Sequence, residues 1–139
     1  MAVNVRVVPI KEFLRTDVAG HLDLQTSRSL LHSIMEACKK QNVDRVLIDT
    51  REATSKASVT DVWTLASELK SVGLSPQHRL AVVNRPKDEF DRAEFLEICA
   101  SNRGFQLKAF REFEAAFTWL TEEGPSTTPG QPPQEINSP

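Results

Sequence analysis

The stretch RVLIDTREATSKASVTD, residues 45–61, decides the fold class. Its first five residues, RVLID, form a nearly continuous apolar run, which is typical of a central strand covered on both faces. The stretch then becomes polar and rich in hydroxyl groups, and a helical pattern begins at residue 59. Ser58 with Asp61 three residues later resembles a capping box at a helix N-terminus. The stretch therefore predicts a strand, a loop and a helix in succession, the repeating unit of α/β sheets.

The same alternation continues toward the C-terminus. Apolar residues recur at helical spacing from residue 62 to residue 72, and Gly73 stands where a left-handed C-cap is common. The remaining predicted elements are a buried strand RLAVVN (79–84), a helix that Gly104 can end, a strand FQLKAF (105–110) and a helix with an apolar stripe over 113–120. Single helices between strands imply right-handed crossovers and parallel pairing.

Toward the N-terminus the pattern predicts a hairpin and then a helix. NVRVV (4–8) and FLRTDVAG (13–20) alternate in polarity as strands do, with a turn at 9–12 between them. A helix follows within 22–41, for which Asp23 is a suitable N-cap. The predicted fold is α/β, with a mixed, mostly parallel sheet of about five strands flanked by four helices.

Composition and charge indicate one globular domain. Of the 139 residues, 40% are hydrophobic and 26% are charged, with a net charge of −2. A net negative charge disfavours binding to nucleic acid, whose phosphates require clustered Lys and Arg. Residues 124–139 hold five of the eight prolines and one large apolar residue, Ile136. We therefore predict a folded domain over 1–123 and a flexible tail over 124–139.

The cysteines and the N-terminus predict a cytoplasmic protein. Cys38 and Cys99 each fall within apolar helical patterns, where a thiol usually serves as a small buried hydrophobe. No run approaches the roughly 20 apolar residues that a membrane span requires. The N-terminal residues also lack a basic segment followed by an unbroken apolar stretch.

Asp49, at the carboxyl end of the central strand, lies where α/β sheets usually place ligands. A phosphoacceptor aspartate needs an acidic pair for a metal and a lysine after a later strand. Glu12 and Asp17 are not adjacent, and Lys108 lies inside a strand. The sequence therefore disfavours this role.

Other enzyme classes also lack their reactive groups. LIDTRE (47–52) resembles sulphurtransferases of the rhodanese type, but the later loop that would carry their cysteine reads RPKDEF. The histidines are not accompanied by a GxSxG elbow, and no Gly-rich phosphate loop is present. We therefore expect no enzymatic activity, no cofactor and no metal site.

Five segments in order resemble a known family. GHLDLQTSRSLL (20–31) is similar to the G-x-L-D opening of STAS domains, and residues 45–61 resemble the strand and loop before their second helix. RLAVVN, NRGFQLKAF and FEAAFTWL are similar to the SpoIIAA-like branch, which includes anti-sigma-factor antagonists of bacterial signalling. The resemblance covers about residues 3–121 and implies a non-enzymatic regulatory module that binds a protein partner.

The resemblance also implies a candidate phosphorylation site at Ser58, because some family members switch partners when a serine at this position is phosphorylated. This chain has Ala57 before that serine and Val59-Thr60 after it, where the family usually has an aspartate and a Ser-Gly. Trp63 is a candidate interface anchor beside the polar loop. The candidate partner-binding residues are Arg51, Thr54, Ser55, Lys56, Ser58, Asp61 and Trp63.

An alternative function is a carrier or sensor of a small lipophilic ligand. Related modules are suggested to bind such molecules in a cleft beside the sheet, and seven phenylalanines without a tyrosine suit an apolar pocket. The same residues suit an ordinary core. The sequence leaves these two uses open, together with the partner and the oligomeric state.

Overall fold

The computed structural model describes residues 4–10, 12–55, 57–84 and 88–122. They form five strands and four helices in the order β-β-α-β-α-β-α-β-α. The strands are β1 (Asn4–Ile10), β2 (Phe13–Leu22), β3 (Arg45–Ser55), β4 (Arg79–Val83) and β5 (Gln106–Phe110). The helices are α1 (Leu24–Gln41), α2 (Val59–Ser67), α3 (Asp88–Asn102) and α4 (Phe113–Thr121).

The sheet follows chain order, β1-β2-β3-β4-β5. β1 pairs antiparallel with β2, and the other neighbours pair in parallel. Right-handed crossovers that advance in one direction across a sheet place their helices on the same face. Accordingly, α1, α2 and α3 cover one face, while α4 packs on the other against β3 and β4. The predicted architecture is confirmed.

Two apolar clusters lie on the two faces of the sheet. The larger joins the sheet to α1 and α2, with Ile34, Leu69 and Leu80 fully buried. The smaller joins Leu47 and Val83 to α4. Every residue of β4, including Arg79, is buried, which agrees with the buried strand predicted there. The sheet is therefore covered on both faces at its centre.

Local capping chemistry sets the helix ends. The Asp23 carboxylate accepts a hydrogen bond from the Thr26 amide, and the Thr26 hydroxyl accepts one from the Asp23 amide, which confirms the predicted N-cap. At the C-terminal end of α1, Asn42 has φ 57°, and the Val43 amide donates to the Cys38 carbonyl. Gly104 plays the same part after α3, with φ 87° and the Phe105 amide bonded to Ala100.

The loop predicted after Asp49 is mostly strand. β3 continues to Ser55, and its last residues pair with the end of β2, which extends to Leu22. β4 pairs with β3 only as far as Asp49, so the rest of β3 has a partner on one side alone. The polar sequence that indicated a loop belongs to this half-paired extension.

The predicted helix over 59–73 ends earlier than expected. α2 stops at Ser67, and hydrogen-bonded turns carry the chain on to Gly73. Gly73 has φ 110°, and the Leu74 amide donates to the Leu69 carbonyl across it. The predicted left-handed conformation at Gly73 is confirmed, although Gly73 ends a series of turns and does not end a helix.

The predicted tail, 124–139, lies outside the described residues.

Cys38 and Cys99 are both free and buried, as their apolar surroundings predict. Burial, with a smaller contribution from Asp44, raises the pKa of the Cys38 thiol to about 11. A thiol with so high a pKa is almost entirely protonated near neutral pH and is a poor nucleophile.

Among the helices that the structure describes, none has the length and apolar content to cross a membrane.

Candidate functional site

An apolar cavity lies at the carboxyl ends of β3 and β4, beneath α1, α2 and α3. It has a volume of about 120 Å³ and is open on one side. Its wall is almost entirely apolar and includes Leu24, Leu31, Ile48, Leu65, Val82 and Leu96. The carboxyl ends of parallel strands are where open α/β sheets usually bind ligands. The cavity is therefore the first candidate site.

Thr50 and Asn84 form a polar pair within this apolar wall. The Thr50 hydroxyl donates to the Val83 carbonyl at 2.8 Å, and Asn84 Nδ2 donates to Thr50 Oγ1 at 2.9 Å. Both side chains are buried. No residue in the described ranges donates to Asn84 Oδ1, which is also buried. Asn84, which lines the cavity, thus carries an acceptor without a partner in the part of the chain that the structure describes.

The N-terminus of α2 adjoins the cavity. The Asp61 amide donates to Ser58 Oγ at 3.0 Å, and the Ser58 amide donates to Asp61 Oδ2 at 3.1 Å. This reciprocal pair is the predicted capping box. Arg92 Nε of α3 donates to the Ala57 carbonyl at 2.9 Å, and Ala57, Asp61 and Arg92 all line the cavity. Ser58 itself is exposed beside its mouth.

α2 presents an exposed apolar surface next to Ser58. Val59 is 69% exposed and Trp63 is 52% exposed. They are four residues apart, so they lie on the same side of the helix. The guanidinium carbon of Arg103 lies 5.5 Å from the Trp63 ring centroid, within the range of a cation–π contact. Ser58, Val59 and Trp63 are called the α2 surface below.

Asp49 lies on the opposite face of the sheet in an ion cluster. Its carboxylate accepts hydrogen bonds from Arg51 at 2.7 and 3.0 Å and from Arg15 at 3.1 Å. Burial raises the pKa of this carboxyl, but hydrogen bonds from Arg51 and the charges of both arginines outweigh it, so the pKa is lowered. Asp49 is therefore ionised near neutral pH and fully engaged with two cations.

The structure distributes the candidate partner-binding residues over three places. Ser58 and Trp63 belong to the α2 surface, while Thr54, Ser55 and Asp61 line the cavity. Thr54 Oγ1 also shares a hydrogen bond with His21 Nδ1. Arg51 lies with Asp49 on the other face, because side chains alternate along β3. Lys56 lies outside the described residues.

Sequence reasoning missed Asn84 and Arg92. Asn84 directly follows β4, and Arg92 lies on α3. A polar residue directly after an apolar parallel strand, beside the strand that carries Thr50, is a signal that could have identified Asn84. Nothing in the local sequence singles out Arg92, because its role depends on the approach of α3 to residue 57. Within the described residues, no three His, Cys, Asp or Glu side chains form a group suited to a metal ion.

We expect Ser58→Ala to reduce the free energy of unfolding by about 1 kcal/mol, because it removes the N-cap acceptor for the Asp61 amide. Ser58→Asp should remain close to the original protein, since a carboxylate caps as well as a hydroxyl and interacts favourably with the helix dipole. Urea denaturation of the three proteins measures the difference. Equal stability of the Ala and Asp variants would show that the cap contributes nothing.

Comparisons with known proteins support the fold and extend no further. No protein-family model matches the sequence, and no curated protein matches it. An anti-sigma factor antagonist from Mycobacterium paratuberculosis superposes with a TM-score of 0.58 and 15% identity, over 87% of this chain and 96% of its own. An uncharacterised protein from Shewanella loihica, described as having a SpoIIAA-like fold, gives a TM-score of 0.52 and 16% identity, over 85% and 93%.

These structures share the arrangement of a five-stranded mixed sheet and four helices. The chain therefore has the SpoIIAA-like, STAS-type α/β fold that its five sequence segments resemble. At such low identity the likeness establishes the fold alone, since one fold serves many functions.

Proposed function

We propose that this chain is a non-enzymatic regulatory module of the cytoplasm that binds a protein partner through the α2 surface. The observation that carries the proposal is the exposure of Trp63 and Val59 on one side of α2, the helix that Ser58 caps. The anti-sigma factor antagonist of the same fold supports a role in partner binding by analogy.

Trp63 has the physical properties of an interface anchor. Tryptophan is enriched among the residues that dominate binding energy, because it buries a large area with little loss of conformational freedom. Its contact with Arg103 restrains the ring before any partner arrives. A ring held in place loses less entropy on binding, so more of the gain from burial appears as affinity.

Ser58 is the proposed site of regulation by phosphorylation. Its hydroxyl is exposed at the N-terminus of α2, where the helix dipole favours an added negative charge. The Asp61 carboxylate opposes that charge at close range. Arg51 is engaged with Asp49 on the other face, so it compensates little of that charge. We propose that phosphorylation acts mainly by placing about two negative charges beside Trp63.

The test uses the purified protein as bait in a lysate of its own cells. We expect Trp63→Ala to reduce the captured amount of at least one specific partner by roughly tenfold or more, because the anchor of the interface is lost. Ser58→Asp should reduce capture of the same partner, because the aspartate carries part of the negative charge of a phosphate. Quantitative mass spectrometry of the captured proteins gives the ratios.

Phe117→Ala is the matched control. Phe117 is an aromatic residue of comparable exposure, 42%, on α4 at the opposite face of the sheet. A partner of the α2 surface should be retained by this variant, provided that circular dichroism shows it to be folded. If Trp63→Ala retains every protein that the original bait captures, the proposed surface is wrong.

A second candidate function, a carrier or sensor of a small lipophilic ligand, is favoured by the apolar cavity. The cavity lies at the usual ligand position of α/β sheets and adjoins Ala57 and Asp61 at the start of α2. A ligand there would contact the same turn that holds Ser58. The two functions are therefore compatible in one molecule.

A further inference from the structure

We propose that the cavity prefers small apolar molecules that carry one hydrogen-bond donor, and that Asn84 Oδ1 accepts this donor. The inference rests on the second candidate function, ligand binding in the cavity, and specifies the chemistry of the ligand. It follows from the hydrogen bonds of Thr50 and Asn84, from the burial of Asn84 and from the size and lining of the cavity.

The hydrogen bonds determine which way the Asn84 amide faces. A hydroxyl has a single proton, and Thr50 donates it to the Val83 carbonyl at 2.8 Å. Thr50 Oγ1 can therefore only accept from Asn84, so the neighbouring amide atom is Nδ2, at 2.9 Å. This assignment leaves Oδ1 as the atom that needs a donor.

Asn84 is a strong candidate for ligand recognition because its acceptor is costly to leave unpaired. The residue is 8% exposed, and Oδ1 has no donor among the residues that the structure describes. Buried polar groups nearly always have a partner, so an orphan acceptor in a cavity wall indicates a missing donor. Oδ1 has almost no accessible surface in this structure, so it can bind a ligand only if the amide tilts toward the cavity, which the broad χ2 torsion of asparagine permits.

The remaining wall defines the rest of the ligand. One water needs about 10–15 Å³ of such space, whereas the cavity offers about 120 Å³. It therefore has room for a molecule of roughly eight to twelve non-hydrogen atoms. Leucine, isoleucine and valine side chains dominate the lining. A compact apolar body, such as one or two fused rings with a single N–H or O–H group, fits this description.

Indole and benzofuran provide a matched pair of probes. They have nearly the same size and shape, but indole carries an N–H donor where benzofuran has an ether-type oxygen. We expect indole to bind roughly tenfold more tightly than benzofuran, the usual effect of one hydrogen bond to a buried acceptor. Titrations followed by two-dimensional amide NMR give both dissociation constants and show whether residues around the cavity respond.

Asn84→Leu removes the acceptor while keeping a side chain of similar size. In this variant the preference for indole should fall to about one, because benzofuran binding is retained while indole loses its acceptor. Asn102→Leu is the control, since Asn102 is exposed at the C-terminal end of α3 and should preserve the preference. If Asn84→Leu does not fold, the ratio for the unmodified protein still decides the question.

The outcomes separate the inference from the function on which it rests. Equal binding of indole and benzofuran at the cavity would overturn the role of Asn84 and indicate an ordered water on Oδ1, while ligand binding itself would stand. Failure of both probes to perturb the cavity residues would overturn the inference together with the second candidate function. Neither result would bear on partner binding at the α2 surface.

Discussion

Replacement of Arg79 by alanine is expected to reduce the free energy of unfolding by about 3 kcal/mol. Arg79 begins β4 and is only 1% exposed. Its Nη1 group donates to the carbonyls of Trp119 and Glu122 at 2.9 and 2.8 Å, at the C-terminal end of α4. Alanine removes these charge-assisted hydrogen bonds and leaves a void.

The effect depends on how α4 ends. Its last turn contains no basic residue, so the negative end of the helix dipole has no cation within the helix itself. Arg79 from β4 and Arg45 from β3, which donates to the Leu120 carbonyl at 3.1 Å, supply the cations. Loss of Arg79 therefore affects both the packing and the electrostatics of α4 against the sheet.

Arg79→Met separates these contributions. Nε and Nη2 of Arg79 have no acceptor among the described residues, so the cation is buried at a cost that methionine removes while filling similar space. We expect the Arg79→Met variant to lose roughly half as much free energy of unfolding as the Arg79→Ala variant. Chemical denaturation measures both variants. If the methionine variant is as unstable as the alanine variant, the hydrogen bonds of Arg79 contribute more to stability than packing and the removal of a buried charge.

Gly73→Ala is expected to destabilise the protein by about 2–3 kcal/mol, because two penalties act together. Gly73 has φ 110°, a conformation that residues with a Cβ atom rarely adopt. A Cβ atom at this position would also lie 3.3 Å from Met35 Cβ on α1. This contact is tight, and Met35 is itself buried in the larger apolar cluster.

Gly104 provides the matched comparison. It ends α3 with the same pattern of hydrogen bonds and φ 87°, but an added Cβ atom would have no heavy atom within 4 Å. Gly104→Ala should therefore reduce the free energy of unfolding by only about 1 kcal/mol, the cost of a positive φ for alanine. Thermal unfolding of the two variants tests the difference. Equal losses would show that the contact with Met35 relaxes without cost.

Much of the fold was predictable from local patterns. The period of apolar residues identified all nine elements in their correct order, and capping residues located the ends of several helices. Ser58 was identified from Asp61 three positions later, and Asp23 from its residue type at the start of a helical pattern; both caps form in the structure. The extension of β3 to Ser55 was missed, because pairing with β2 on one side permits a polar sequence that resembles a loop.

The candidate sites were less predictable because their partners lie far apart in the chain. Ser58 and Trp63 are close in sequence, so the α2 surface could be anticipated. Arg51 was grouped with them by proximity, yet strand alternation carries it to the other face, where it binds Asp49.

Local sequence patterns thus predict the order of the elements, the fold class and the N-caps of α1 and α2, since periodicity and capping act over a few residues. The meeting of distant groups depends on tertiary packing. Asn84 reaches Thr50 across 34 positions, and Arg45 reaches the end of α4 across 75. Strand pairing and helix packing create such contacts, and with them the cavity that the proposed ligand would occupy, because they bring together segments that no local pattern connects.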